Sequence, residues 1–211
     1  MGLIHLWNFE EFSSSIADYF DLKDGFAKAG ACIALGLSTS GVWDENDPAR
    51  AFLEDAFESK EEIMKLGASM GMGLCYATSN REEFKDQLAE LINDENLSIE
   101  INTNASISLS LIFVSQRDED VINTILTSLM MFSDETLNKP MAQFFAVALG
   151  IQFLGEQDKC EAVLETLESI EKPIAKVSKV IIESCAYISS GNILKINEFM
   201  TKLNKKIDYK D

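Results

Sequence analysis

The residue types that most often carry catalysis or hold metals are few in this sequence and stand far apart. The cysteines, Cys32, Cys75, Cys160 and Cys185, never form a Cys-x-x-Cys pair, and the single histidine, His5, has no cysteine near it in sequence. A zinc site or an activated thiol needs partners at short, regular spacing. The sequence also contains no phosphate-binding loop and no nucleophile elbow. We therefore predict no catalytic residue, no metal site and no cofactor, and interpret the cysteines as buried thiols of a reducing compartment.

Carboxylates are the dominant chemical groups. The sequence has 35 acidic and 18 basic residues, a formal net charge of −17. This balance argues against nucleic acid as a partner, because counterion displacement requires lysine and arginine, and against anionic membrane surfaces. No uncharged run is convincing as a membrane span. The acids fall on predicted outward faces, so they either keep a large surface in solution or attract basic partners.

The elements that must position these acids are organised around an uncharged stretch, residues 66–80. It carries glycine at positions 67, 71 and 73. Each glycine costs a helix roughly 1 kcal/mol relative to alanine, but it lets another backbone come close. A helix that is small or apolar on every side is a buried helix. We therefore predict an inner helix that neighbouring helices enclose.

The same stretch recurs along the chain. Its copies align at positions 30, 67, 104, 144 and 178, at intervals of 37, 37, 40 and 34 residues. Self-similarity at a period of about 20–50 residues is typical of solenoids and arrays. Residues 1–7 are interpreted as the second half of one more inner helix. The β-branched residues near 99–112 could suggest a strand, but the repeat register favours a helix.

Amphipathic segments lie between the inner helices. Their apolar residues follow helical spacing, and acids cover the other faces. Asp47-Pro48 predicts a capping acid with proline at the first helical position, and Ser59 to Glu62 predicts a capping box at the start of an inner helix. The predicted outer helices span residues 8–19, 47–57, 80–92, 118–132, 157–170 and 193–207.

The sequence predicts an all-α fold, an α-solenoid of helical hairpins with one inner and one outer helix per unit. The stability of such a fold comes mainly from contacts between neighbouring units. Residues 1–207 are predicted to form a single solenoid segment of about five repeats, and residues 208–211 a tail. The predicted units lie near 1–41, 42–79, 80–116, 117–155 and 156–191, with a last outer helix at 192–207.

Three segments of the sequence look familiar: Lys28 to Ala31 with Gly36, Ser40-Gly41-Val42, and Leu66 to Asn80. They resemble the proteasome/cyclosome repeat family. It comprises the two large non-ATPase scaffold subunits of the proteasome regulatory particle and the largest subunit of the anaphase-promoting complex. The resemblance implies a closed ring of repeats, of which this chain would be an open arc. The segments that resemble the smaller proteasome scaffold in particular are Leu6 to Glu10, Asp47-Pro48-Ala49, Ser184 to Tyr187 and Gly191 to Lys195.

The resemblance implies a non-catalytic scaffold of the cytoplasm and nucleus. Its implied partners are proteasomal ATPase subunits, ubiquitin and the ubiquitin-like domains of shuttle receptors. In the family, an outer helix that carries three acids, spaced by seven and then four residues, binds these domains. The helix contacts the apolar patch and the basic rim of the bound domain. The corresponding positions here are Asp120, Thr127 and Met131, so the first acid is kept and the other two acids are replaced. Asp55 and Asp86 on neighbouring outer helices are expected to supply further charge.

A second family surface docks the ubiquitin-like domain of a deubiquitinase. It lies on the helix that resembles residues 8–20, where Phe9 and Glu10 match its apolar and acidic pair, and serines replace its glutamines. Two alternatives remain open: a purely structural scaffold that braces the ATPases, and a helical-repeat adaptor of another assembly. An open arc would also expose two apolar edges, so we expect the fragment to self-associate through them.

Overall fold

The computed structural model describes residues 2–42 and 47–204, with the backbone alone at Phe9, Glu10 and residues 202–204. Within these ranges every regular element is a helix. The α-helices are α1 (Phe9–Phe20), α2 (Gly25–Ser38), α3 (Pro48–Phe57), α4 (Glu62–Cys75), α5 (Lys85–Asn93), α6 (Ile99–Ile112), α7 (Glu119–Met131), α8 (Asp134–Leu137), α9 (Gln143–Gln152), α10 (Glu161–Glu168), α11 (Pro173–Ala186) and α12 (Ile193–Asn204). Short 3₁₀ turns at Glu82–Phe84, Pro140–Ala142 and Gln157–Cys160 lead into α5, α9 and α10.

The helices form two layers. In the inner layer α2, α4, α6, α9 and α11 follow one another, and each packs against the next. In the outer layer α1, α3, α5, α7 and α10 each pack on the inner helix that follows them. The core lies between the layers, where the outer helices bury side chains such as Phe12, Leu53, Leu88, Ile125 and Leu167. The predicted all-α solenoid is confirmed. None of the described helices has the length and apolarity that a bilayer crossing requires.

The inner helices end at the predicted intervals. Their last residues are Ser38, Cys75, Ile112, Gln152 and Ala186, which are spaced by 37, 37, 40 and 34 residues. The intervals between repeats in the sequence are therefore also the intervals between inner helices in the structure. The divergent copy at α6 is helical too, as the repeat register predicts.

A turn of constant shape follows each inner helix. Its third residue has a left-handed φ, near +55° to +77°, and these residues are Gly41, Thr78, Ser115, Gly155 and Ser189. The N–H of Thr78 donates to the carbonyl of Leu111 at 2.8 Å, and that of Gly155 to the carbonyl of Cys185 at 3.0 Å. Each bond satisfies a carbonyl that the next inner helix leaves open at its C-terminus. The turns thereby link consecutive repeats.

Glycine brings the inner helices into backbone contact. A Cβ added to Gly67 would lie 2.6 Å from Cα of Ala29, and one added to Gly73 would lie 2.6 Å from Cα of Ser108. The backbone of α4 therefore touches α2 on one side and α6 on the other with no side chain of its own in between. Gly30, which aligns with Gly67, meets no atom within 4 Å, because no described inner helix lies on that side of α2.

The predicted capping box at Ser59 to Glu62 is wrong. The helix α4 begins at Glu62, with Glu61 at the N-cap and no side-chain cap bond. Ser59 Oγ instead accepts the N–H of Glu61 at 3.2 Å, one turn before the helix. The serine therefore shapes the loop between α3 and α4, and the first turn of α4 relies on its packing.

The prediction that the Asp47 side chain caps α3 is also wrong. Pro48 is the first residue of α3, as expected, but the Asp47 carboxylate accepts no N–H of that helix. It accepts the hydroxyl of Tyr76 at 2.8 Å and pairs with Arg81 at 2.5 Å. Tyr76 belongs to the same repeat and Arg81 to the next one, so this acid joins two repeats instead of capping one helix.

Residues 2–7 form hydrogen-bonded turns, so the predicted half of an inner helix is wrong. So short a segment gains few helical hydrogen bonds against the cost of nucleation. Trp7 nevertheless has a left-handed φ of 64°, and its N–H donates to the carbonyl of Ser38 at 2.8 Å. The segment therefore ends in the same turn that links the other repeats.

Candidate functional site

The exposed face of α7 is the candidate site, and we call it the α7 surface. Asp118 caps the helix, since its Oδ1 accepts the N–H groups of Asp120 and Val121, both at 3.1 Å. Apolar residues at helical spacing turn one face to the core, and the opposite face meets solvent. The residues of the α7 surface are Glu119, Asp120, Asn123, Thr127, Met130 and Met131.

The α7 surface changes character along its length. Its N-terminal end carries the acids Glu119 and Asp120, and its C-terminal end carries Met130 and Met131, which are 50% and 51% exposed. Adjacent exposed apolar side chains on a charged protein mark a contact site more often than scattered ones do. Methionine is unbranched and polarizable, so it adapts well to a partner surface.

Lys85 on α5 controls the charge at the acidic end. Its Nζ lies 2.7 Å from Asp118 Oδ2 and 3.6 Å from Asp120 Oδ2. Burial raises the pKa of Asp118, but the hydrogen bonds from Lys85 and from the backbone N–H groups outweigh it and hold that pKa below its ordinary value. Lys85 therefore ties α7 to α5 and offsets part of the charge of Asp120.

Two buried polar side chains fix the register of α7. Ser128 Oγ lies 2.8 Å from Asn93 Oδ1 at the end of α5. Gln152 at the end of α9 accepts the N–H of Asp118 at 3.2 Å and donates to the carbonyl of Ser110 at 3.4 Å. The helix is thus attached to α9 of its own repeat and to α5 of the preceding repeat.

The structure brings three of the predicted site residues together. Asp120, Thr127 and Met131 share the exposed face of α7, as spacings of seven and four residues require in a helix. Asp86 is exposed at the start of α5, where it follows Lys85, the residue that contacts Asp120.

Asp55 stands apart from the other predicted residues. It is exposed near the end of α3, where it lines a cavity of about 660 Å³ with Phe20 and Lys60. None of the residues that line this cavity belongs to α7. The structure therefore places Asp55 outside the α7 surface.

The predicted second docking pair, Phe9 and Glu10, lies outside the side chains that the structure describes. That surface stays a prediction of the sequence. The N-terminus of its helix, α1, is capped by Asn8, whose side chain accepts the N–H of Glu11 at 3.4 Å.

On the α7 surface, Glu119, Asn123 and Met130 were not predicted, and neither were the contacts of Lys85 with the acidic end and of Lys172, whose Nζ donates to the carbonyl of Met130 at 2.8 Å. Met130 could have been found, because it follows Thr127 by three residues on the same helix. The two lysines could not, since their contacts join segments that are more than 30 residues apart. They become visible only once neighbouring repeats are packed.

The described residues contain no group of three histidine, cysteine or carboxylate side chains placed to hold a metal ion. The four cysteines are free thiols, and all but Cys185 are buried. Burial raises the pKa of the Cys32 thiol to about 12. At neutral pH this thiol is protonated and packs as a small apolar group.

Comparison with known proteins finds proteasome subunits that are similar to the chain. It is 34% identical over 200 residues to the 26S proteasome regulatory subunit rpn1 of Schizosaccharomyces pombe and 32% identical over 211 residues to rpn-1 of Neurospora crassa. It is 28% identical over 199 residues to the 26S proteasome non-ATPase regulatory subunit 2 of Dictyostelium discoideum. The chain is similar to a segment of a 26S proteasome regulatory subunit.

These alignments cover 94% to 99% of the chain but only 22% or 23% of each relative. The chain thus spans about a quarter of the length of the curated relatives that it matches. No protein-family model matches it. The resemblance to a non-ATPase regulatory subunit of the 26S proteasome is confirmed at this level.

Proposed function

We propose that this chain is part of a non-catalytic scaffold of the 26S proteasome regulatory particle, the smaller of its two proteasome/cyclosome-repeat subunits. Its partners would include the proteasomal ATPases, and it would work in the cytoplasm and nucleus. Similarity to named proteasome regulatory subunits over nearly the whole chain supports this role. The solenoid supports it as well, because stacked repeats present long surfaces to several partners.

We further propose that the α7 surface docks ubiquitin or the ubiquitin-like domain of a shuttle receptor. The observation that carries this proposal is the exposed pair Met130 and Met131 at one end of a helix whose other end carries Asp120. The resemblance implies a ligand with an apolar patch and a basic rim, and the α7 surface offers the complement of both. The methionines would cover the patch, and the acids would face the rim.

The two ends of the surface would contribute differently. Burying the methionines removes apolar area from water, which supplies affinity. The acids stand at the rim, where charge governs association rate and partner choice more than affinity. Lys85 already offsets part of the Asp120 charge, so we expect a weak, apolar contact with a modest dependence on salt.

The proposal is tested by titrating ubiquitin and a shuttle-receptor ubiquitin-like domain into the chain. The double variant Asp86→Arg, Asp120→Arg should bind about fivefold more weakly, and its binding should no longer weaken as salt is added, because it repels a basic rim. Glu165→Arg, an exposed charge reversal on α10, is the matched control and should leave affinity unchanged. Equal affinity of the double variant and the wild type would contradict the proposal.

A parallel pull-down separates this proposal from the purely structural scaffold. The chain should retain a ubiquitin-like domain as well as a coiled coil of a proteasomal ATPase. Retention of the ATPase coiled coil alone would favour a scaffold that only braces its neighbours.

A further inference from the structure

Lys172 reaches from one repeat to the end of an outer helix in the preceding repeat. It is the N-cap residue of α11, and its Nζ lies against the C-terminus of α7. The ammonium donates to the carbonyl oxygens of Leu129 at 3.0 Å, Met130 at 2.8 Å and Phe132 at 2.7 Å. An ammonium has three N–H donors and no acceptor. All three donors of Lys172 are therefore directed at the end of α7.

The end of α7 needs such a group. The last carbonyls of a helix have no partner within it and carry the negative end of the helix dipole. The last turn of α7 contains no basic residue of its own. At Phe132 the backbone turns to an extended conformation, with φ −62° and ψ 143°, so no glycine cap covers these carbonyls either. The cation that stabilises this end comes from the next repeat.

The capped turn is the one that presents the methionines. Leu129 and Phe132, on either side of the pair, are buried, while Met130 and Met131 are half exposed. A methionine side chain is flexible and has few fixed neighbours at a surface. The backbone of this turn therefore decides where both side chains are presented, and Lys172 holds that backbone.

We propose that Lys172 is a positioning residue, which sets the apolar end of the α7 surface by capping α7 from the following repeat. The biological meaning of this assignment rests on the proposed docking function. The assignment makes the docking surface a property of two repeats, since the α10–α11 loop must be in place before Met130 and Met131 are correctly presented. Loss of the Lys172 charge, by substitution or by acylation of Nζ, would loosen the surface without changing any of its own side chains.

The test compares four forms of the chain: wild type, Lys172→Leu, Lys172→Arg and Lys176→Leu. The arginine variant keeps a cation with several donors, and Lys176 is an exposed lysine one turn further on. Amide hydrogen exchange of residues 129–132 and the methyl resonances of Met130 and Met131 report on the turn, and a ubiquitin titration reports on docking. If Lys172→Leu does not fold, Lys172→Gln replaces it, because it keeps a donor and lacks the charge.

Lys172→Leu should speed exchange in residues 129–132 by roughly five- to thirtyfold, in line with the loss of a charged group at a helix C-terminus. It should also shift both methionine methyl resonances and weaken ubiquitin binding. Lys172→Arg should restore most of the protection, and Lys176→Leu should resemble the wild type.

Unchanged exchange and unchanged methyl resonances in Lys172→Leu would overturn the proposal. An equal increase of the exchange rate throughout α7, α9 and α11 would also overturn the proposal, because such an increase would show a general loss of stability. Faster local exchange with undiminished ubiquitin affinity would show that the cap does not position the surface. If the wild-type chain binds no ubiquitin, the docking function fails, while exchange and methyl resonances still decide whether Lys172 positions the methionines.

Discussion

Replacing glycine with alanine should affect stability in opposite directions at different glycines of the inner helices. A Cβ on Gly71 would lie 2.5 Å from the carbonyl oxygen of Cys32 and 2.7 Å from Cδ2 of Leu53. A Cβ on Gly30 would meet nothing within 4 Å. Both glycines lie within helices, where alanine is intrinsically favoured. The neighbouring helix alone therefore decides the sign of the substitution.

Gly71→Ala should lower the free energy of unfolding by about 2 kcal/mol or more, because a new methyl group forces two packed helices apart. Gly30→Ala should leave it unchanged or raise it by up to about 1 kcal/mol, through helix propensity. Urea unfolding followed by circular dichroism measures both. Equal effects of the two substitutions would contradict the account of close helix contact.

The sequence predicts the close contacts of Gly67, Gly71 and Gly73 because they stand in a stretch without charge. It does not distinguish Gly30 from Gly67, since aligned copies look equivalent whether or not a neighbour is present. Exposure of Asp86, Asp120, Thr127 and Met131 follows from helical periodicity. Contacts of single polar atoms do not, because they depend on which residue of another repeat lies opposite.

The sequence predicts where the helices lie more accurately than it predicts how each helix begins. Asp118 was predicted as the start of α7 and caps it. Asp47 and Ser59 look like caps by residue type, but Ser59 accepts the N–H of Glu61 before α4 begins, and Tyr76, the partner of Asp47, lies 29 residues further on. A local pattern therefore identifies a helix, while the contacts made in the packed chain determine how the helix begins.

Asp118 also gives α7 a defined dependence on pH. Its pKa in the folded chain lies below the ordinary value, so its contribution to stability is complete above the unfolded pKa, near 4. That contribution is lost as the pH falls through the lower, folded value. Acid should therefore loosen the contact between α5 and α7.

Asp118→Asn isolates the charge, because asparagine can still cap a helix. At pH 7 this variant should unfold with a free energy about 1 kcal/mol smaller than that of the wild type, since Lys85 loses its ion pair with the Asp118 carboxylate. The difference should shrink below pH 4 and vanish as the carboxyl protonates. Urea unfolding at pH 7 and at about pH 2.5 measures it, and an equal difference at both pH values would exclude the ion pair as its source.

At the scale of the whole molecule, the solenoid exposes apolar side chains at both of its described edges. Leu3, Ile4 and Phe26 are more than 70% exposed at one edge, and Val180 and Leu194 are 50% and 81% exposed at the other. Interior repeats cover the corresponding surfaces with the next repeat. Such patches favour association when nothing covers them.

We expect the fragment to self-associate through these edges at high concentration. Val180→Asp should weaken this association about tenfold, because it places a charge in the apolar contact. Ala162→Asp adds the same charge to the outward face of α10 and should have no effect. Sedimentation velocity over a concentration series measures both, and an unchanged association in Val180→Asp would exclude this edge as the contact.

The most direct test of the docking surface observes the methionine methyl groups of the chain while unlabelled ubiquitin is added. We expect the resonances of Met130 and Met131 to move together as the ubiquitin concentration rises. The resonances of Met64 and Met72, which are buried in the core, should stay in place. Stationary Met130 and Met131 resonances, or shifts confined to Met200 on α12, would contradict the account.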